Sequence, residues 1–347
     1  MNKRLLVANV MEKIGATDAL LALRRMAGFP YLPVVTFHRV LDPAKQAPYL
    51  FDEGVVDSAP EEFERQIKTI GRFFTPIGTD DLAAAMAGAK LPKNPILVTF
   101  DDGYKDNIEV ALPIMKRHSV KAVFFIATQY LSRRRMFWWD RVNYLLKRSN
   151  SASLKLSYPN EIELPLDTPA DRATAIRTAL RIVKTHVGLD LEYFLELLAK
   201  AAGVAWNTRI DRDLAEAALM TWDQVRELRR AGMDIQSHTR THRVLQTLDA
   251  GQLRDELQGS KEDLEEQLDA PITSISYPVG HRLVEREDIR KALDDAGYSL
   301  GFTNATGTHR MRRDGDRYDV SRISLDYGTP DVLFRARLAA PFLFPTR

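Results

Sequence analysis

Two adjacent carboxylates, Asp101 and Asp102, follow the apolar run Ile96-Leu97-Val98-Thr99-Phe100 and precede Gly103. Neighbouring like charges repel, so an uncompensated pair is costly. A cation resolves the conflict when one carboxylate ligates it and the other stays free as a base. Far downstream, Ser237-His238-Thr239-Arg240-Thr241-His242 places two histidines four residues apart, behind the apolar stretch Met233-Asp234-Ile235. That spacing lets two imidazoles face one ion. Two histidines and a carboxylate are a common open-site ligand set for zinc or a similar divalent cation. The chain holds seven histidines in all, so the pair does not belong to a histidine-rich tract.

These groups need strand ends to hold them. Residues 96–100 are short, β-branched and aromatic between Pro95 and Gly103, which predicts a buried strand. In parallel α/β folds the C-terminal ends of the strands carry the chemistry. Leu32 to Phe37 predicts an equivalent strand that delivers His38, read either as a site residue or as a hydrogen-bonded structural histidine. Further strands are expected at 120–127, 233–236, 271–277, 299–303 and 320–325. Helices are expected over 3–27 (ending near Gly28 and Pro30), from Ser58 or Pro60 onward, from Asp80, over 106–118 with a kink or late start at Pro113, over 223–231, from an Asp249 cap, and over 287–296. Residues 42–60 read as a loop. Between 132 and 220 the alternation breaks. A helix opening at Phe137-Trp138-Trp139-Asp140, a hairpin about Tyr158-Pro159-Asn160 and helix over 170–202 predict a mostly helical insertion within a discontinuous domain of 31–131 and 221–347, preceded by the 1–30 helix. Trp138 and Trp139 read as core of that insertion, with a sugar-stacking wall as the alternative.

Bulk composition narrows the class. The 347 residues are 45% hydrophobic, enough for a real core, and carry a net charge of +2 from 49 basic and 47 acidic residues. This balance gives no pull toward nucleic acid, and the basic runs at 133–135 and 310–313 read as solvated loops. With no cysteine, disulfides, thiolate metal sites and thiol catalysis are excluded. No stretch reaches transmembrane length. The expected location is cytoplasmic. Residues 3–27 are expected to pack on the domain, with peripheral membrane contact as the alternative, because Leu6, Val10 and Ile14 repeat at helical spacing among basic residues.

Thr99 to Gly103 resembles the first motif of the polysaccharide deacetylases with the NodB homology domain, carbohydrate esterase family 4. His238 to His242 resembles the second motif, and Tyr277-Pro278-Val279-Gly280 a third. The resemblance covers roughly 30–130 and 220–327. It implies an α/β fold, a distorted (β/α)7-type barrel, and metal-dependent removal of N-acetyl, less often O-acetyl, groups from a carbohydrate. By position it implies Asp102, His238 and His242 as ligands of a divalent metal, zinc before cobalt, nickel or manganese. Asp101 is the implied base and Thr239 shapes the ligand loop. Tyr277, Pro278, Val279 and Gly280 would line an acetyl pocket, with the Val279 N–H as oxyanion donor. Relatives hold the base with an arginine where Ser276 stands here, leaving Arg282 or Arg322 to replace it. The histidine that relatives use as general acid is missing from Ile323-Ser324-Leu325-Asp326, leaving His38, His281, His309 or solvent. The implied substrates are an acetylated oligo- or polysaccharide, or a lipid- or nucleotide-linked sugar of exopolysaccharide or envelope metabolism. A catalytically weak carbohydrate binder and a C–N hydrolase of a small amide are the competing readings.

Overall fold

The computed structural model describes residues 3–27, 31–283, 285–307, 309–310 and 315–345. The predicted helix boundary at Gly28 and Pro30, and Arg312 and Arg313 of the second basic run, lie outside the described residues. Seven parallel strands form the centre: β1 Val34–Phe37, β2 Pro95–Phe100, β3 Val123–Ile126, β4 Asp234–Ser237, β5 Ser274–Ser276, β6 Leu300–Thr306 and β7 Val320–Ser324. Neighbours run β1-β7-β6-β5-β4-β3-β2, and β2 pairs back onto β1, so the sheet closes into a barrel. The short strand Thr75–Pro76 adds to the start of β2.

Side-chain alternation along each strand sorts the residues between two sides. Val35, Phe37, Val98, Phe100, Phe124 and Ile126 join the core with Phe63, Ile67 and Ile70 of the surrounding helix Pro60–Phe73. Residues of the other parity, Val34, Leu97, Val123, Phe125, Phe302 and Val320, pack with one another inside the barrel. Continuing that parity upward, Thr36 and Thr99 meet at 2.7 Å between hydroxyl oxygens. Asp101 then follows Thr99 at the rim. The interior therefore grades from apolar at the base to charged at the C-terminal ends.

Six helices matter below: α1 Lys3–Lys13, α2 Ala16–Ala27, α3 Trp138–Arg148, α4 Pro169–Thr185, α5 Ala250–Leu268 and α6 Asp331–Ala339. The single helix predicted over 3–27 is instead a hairpin. Gly15, at φ +72°, turns the chain between α1 and α2, and both pack on α6. Residues 42–60 are not plain loop, because Val56–Ser58 pairs with Arg39–Val40 as a short strand. The 106–118 segment begins as a π-helical turn, Asn107–Ala111, before the α-helix Leu112–Arg117. Pro113 has no N–H to donate, which fits its place in the first turn of the latter. The expected helix over 170–202 breaks at Gly188 into α4 and the helix Leu191–Ala202. Most of the buried apolar side chains between Met136 and Leu219 form a second core of their own, over which α3, α4 and the hairpin Ser153–Leu156/Ile162–Pro165 pack.

Candidate metal and catalytic site

Asp101 and Asp102 both line one cavity at the end of β2, where the chain leaves the extended conformation because Asp102 is left-handed at φ +76°. Such backbone is costly for a non-glycine residue and clusters at functional sites. Three more cases surround it: Thr239 at +63°, His242 at +55° and Val279 at +62°. Thr239 is bonded within the loop after β4. Its Oγ1 accepts from the His242 N–H at 3.1 Å, and its own N–H donates to Ser237 Oγ at 3.1 Å. From outside, buried Glu256 of α5 accepts the N–H groups of Arg240 and Thr241 at 2.9 and 2.8 Å. The histidine loop is thus held at both faces.

This backbone brings together Asp102, His238 and His242. Asp102 Oδ1 lies 3.4 Å from His238 Nε2 and 3.5 Å from His242 Nε2. Bonds of about 2.1 Å to a tetrahedral ion put ligand atoms about 3.4 Å apart, so the spacing suits a shared cation. A second observation agrees: Asp102 Oδ1 is fully buried and has no hydrogen-bond partner. An orphaned buried carboxylate oxygen is expensive unless something positive occupies its front. His238 Nδ1 lies 2.8 Å from the Ser276 carbonyl. That carbonyl needs a donor, which fixes the proton on Nδ1 and frees the Nε2 lone pair. Burial, then the adjacent His238, push the His242 pKa down to about 3, so its imidazole is neutral as ligation requires. Burial opposes ionisation of Asp102, but His238, His242 and His38 around it outweigh that and hold its carboxyl below the ordinary range. The donor set fits a divalent cation.

Asp101 is held differently. Arg322, fully buried on β7, forms two near-parallel bonds to it, Nη1 to Oδ1 at 2.9 Å and Nη2 to Oδ2 at 2.8 Å. Ser276 Oγ donates to Oδ2 at 3.2 Å and accepts from Arg322 Nη2 at 2.9 Å. The Arg322 Nε donates to the Thr303 carbonyl, completing the clamp. Burial alone would raise the Asp101 pKa, but the guanidinium beside it holds the carboxyl well below the usual carboxylate range. Of the two arginines considered from sequence, Arg322 is therefore the one beside the carboxylate. Arg282 is not brought to the site: it is more than half exposed and its guanidinium pairs with Asp319.

His38 reaches the same cavity from the end of β1. Its Nε2 lies 4.0 Å from Asp101 Oδ2, while its Nδ1 meets Asp57 Oδ2 at 3.2 Å. Burial opposes protonation of the ring, but Asp57 and the site carboxylates prevail and raise its pKa to about 9. His281 is exposed, and His309 sits on the bottom strand pair with Leu32, so neither lines the cavity.

The cavity encloses about 210 Å³ between His38, Asp52, Val55, Trp138, Trp139, Lys184, Val279 and the ligands. Gly280 has φ +71°, and a Cβ there would lie 2.3 Å from the Asn304 backbone nitrogen. Only glycine lets this loop pack on β6 and present Val279 to the cavity. Tyr277 does not present its side chain there. The ring joins the core around the barrel, and its hydroxyl donates to the Tyr318 carbonyl at 3.1 Å, above Gly301, where no Cβ would fit. Pro278 is buried in the turn. Trp138 and Trp139 are both core and cavity wall: 2 and 3% exposed, with Trp139 4.3 Å from the His242 ring and the Trp138 Nε1 donating to the His242 carbonyl. Asp52, Asp57, Lys184 and Asn304 were not singled out from sequence. For Asp57 a signal existed, since Val55-Val56-Asp57 repeats the pattern of apolar residues ending in a carboxylate.

The family model for polysaccharide deacetylase matches residues 88–157 and 191–301, just over half the chain. The Bacillus subtilis protein YxkH, whose assignment as a polysaccharide deacetylase is itself provisional, is 22% identical over 241 residues. That match takes in 70% of this chain but only 55% of YxkH, so the chain spans about half the length of its curated relative. Among solved structures, the Streptococcus pyogenes deacetylase PplD in complex with acetate superposes with a TM-score of 0.56 at 18% identity, over 87% of this chain and 95% of that one. A polysaccharide deacetylase from Bacillus cereus gives 0.54 at 17%, over 89 and 69%. At such identities the structures speak for the fold, a closed seven-stranded parallel barrel of the NodB kind. With the family model matched across both motif regions, the chain belongs to the polysaccharide deacetylase family.

Proposed function

We propose that this protein is a metal-dependent hydrolase that removes acetyl groups, N-acetyl before O-acetyl, from a carbohydrate. The observation that carries the reading is the orphaned Asp102 oxygen facing two imidazole nitrogens beside a second, arginine-clamped carboxylate. Asp102, His238 and His242 would hold the cation, with zinc expected first for two imidazoles and one carboxylate. When bound, such an ion polarises a carbonyl and acidifies water.

The remaining chemistry belongs to the side chains. Asp101, kept ionised by Arg322, accepts the proton of the attacking water. Its low basicity is the cost of that clamp, and the acidity of the water must compensate. Val279 lies in the cavity wall, where its N–H is the proposed oxyanion donor. His38, charged and oriented by Asp57, supplies the proton that the departing sugar amine needs. The cavity is below the roughly 300–1,000 Å³ usual for whole ligands, which suits one acetamido group on a longer sugar chain.

The test is metal content together with acetate release from N-acetylated oligosaccharides, for the wild type, Asp101→Asn, His38→Ala and His238→Ala. About one equivalent of metal with acetate release is expected for the wild type. Asp101→Asn and His38→Ala should keep the metal and lose turnover, and His238→Ala should lose both. A wild type that carries metal but releases no acetate from any sugar would move the assignment to a small amide or to binding alone. Absence of metal would sink the site.

A further inference from the structure

The large apolar side chains left exposed are concentrated at one place. Leu6, Val7 and Val10 on α1 and Ile14 in the turn that follows it are 48, 48, 50 and 72% exposed, and Leu23 and Met26 on α2 are 50 and 77% exposed. Phe342 and Leu343, just past α6, add 61 and 66%. Among the described residues the other exposed large apolar side chains are Val187, Tyr193 and Tyr327, which belong to other parts of the fold. On α1, Leu5, Ala8 and Met11 already pack with Leu333, Ala336 and Phe344 of the α6 region. The stripe Leu6, Val10, Ile14 is therefore a second apolar face, turned to solvent. A helix apolar on both sides calls for cover on both.

The charges around this face are sorted as well. The acids of residues 3–27 are Glu12 and Asp18, and both pair with Arg335, which is nearly buried. Lys3, Arg4, Lys13 and Arg25 are exposed. The result is an apolar stripe bordered by cations, with its two acids neutralised by Arg335 although they stay partly exposed. A second copy of the chain is a poor match, because a two-fold interface would set these cations near their own equivalents. No described helix is long and apolar enough to cross a membrane.

We propose that the α1–α2 hairpin, together with Phe342 and Leu343, docks on an anionic phospholipid surface, with α1 lying in the headgroup plane. Lys3 and Lys13 meet the lipid phosphates, with Arg4 and Arg25 (each also bonded to a backbone carbonyl, of Pro345 and Arg72) adding positive charge, while Leu6, Val10 and Ile14 enter the acyl boundary.

Co-sedimentation of the full chain with vesicles tests this, using phosphatidylcholine with phosphatidylglycerol against phosphatidylcholine alone. Binding to the anionic vesicles should exceed binding to the neutral ones by about tenfold or more and fall with added salt. The variant Leu6→Asp/Val10→Asp/Ile14→Asp and, separately, Lys3→Glu/Lys13→Glu should each lower anionic-vesicle binding about tenfold. Metal content and the urea unfolding midpoint should stay unchanged, since these side chains face solvent. If the triple aspartate variant does not fold, the charge-reversal pair still decides. A wild type that stays in the supernatant overturns the proposal, as do folded variants that sediment like the wild type. A wild-type dimer that the aspartates convert to monomer, without vesicle binding, would assign the face to a second copy.

Discussion

Replacing Arg322 with methionine keeps most of the side-chain volume and removes the guanidinium. Asp101 then loses its bonds at 2.9 and 2.8 Å at a position only 1% exposed. Breaking a buried ion pair from one side costs about 3–5 kcal/mol, because the remaining charge has neither partner nor water. His38, charged and 4.0 Å away, compensates in part, as does the Ser276 hydroxyl that still donates to Asp101. The loss for metal-free protein at neutral pH should therefore fall near the lower figure, about 3 kcal/mol. The pH dependence also reverses. In the wild type the folded Asp101 pKa is depressed, so its contribution is complete above the unfolded carboxylate pKa and is lost as pH falls through the folded value. In Arg322→Met burial dominates and folded Asp101 favours its proton. Stability then declines as pH rises past the unfolded carboxylate pKa of about 3.9. Urea unfolding at two pH values, read from the midpoint at constant slope, measures both effects. The double variant Asp101→Asn/Arg322→Met leaves no unpaired charge at this position and should regain most of the lost stability while staying inactive. A single variant within about 1 kcal/mol of wild type, the range of an exposed pair, would refute the reasoning. So would a double variant no more stable than the single one.

Four further outcomes are expected. Asp57→Asn removes the largest influence raising the His38 pKa, so the basic limb of the acetate-release profile should move to lower pH; an unmoved limb would remove His38 from the proton path. In the metal-free wild type, His38, raised to about 9, should contribute stability fully below the unfolded histidine value of about 6.5 and lose it as pH climbs through 9, a decline that His38→Ala abolishes in urea titrations. Glu256→Ala frees the Arg240 and Thr241 N–H groups and should weaken metal affinity about 10- to 100-fold, measured by chelator competition, as loss of a ligand-orienting group does. Gly280→Ala forces a Cβ against Asn304 at a left-handed φ, so urea unfolding should show a loss of more than about 1 kcal/mol, and retention of wild-type stability and turnover would mean that the Val279 loop is tolerant of displacement.

The parts of the site legible in the sequence are those carried by one short segment. Asp101 with Asp102, and His238 with His242, announce themselves because a strand end and a four-residue spacing lie within a few residues. Arg322 could only be offered beside Arg282, since nothing local tells which of two arginines a barrel turns inward. Its choice depends on strand parity, which puts Arg322 on the same side as Val320 and leaves Arg282 on an exposed loop. His38 was ambiguous for the same reason, and Asp57, its partner, lay in a stretch whose proline and glycine content masked a two-residue strand pairing. The break at Gly15 was invisible to periodicity because the apolar pattern continues on both sides of it. The tryptophans defeated a choice between core and wall because one indole face packs inward while the other meets His242.

The closure of the barrel also orders events in time. Arg322 reaches Asp101 across 221 residues, and β7 is the strand that bridges β6 to β1. The cation ligands, by contrast, come from β2 and β4, which flank β3 and are complete once residue 242 has been made. A chain emerging from the ribosome folds from its beginning. It therefore carries the three candidate ligands before it carries the arginine that pairs with Asp101. The last strand thus does two things at once: it closes the barrel and it brings in the guanidinium that neutralises the second carboxylate.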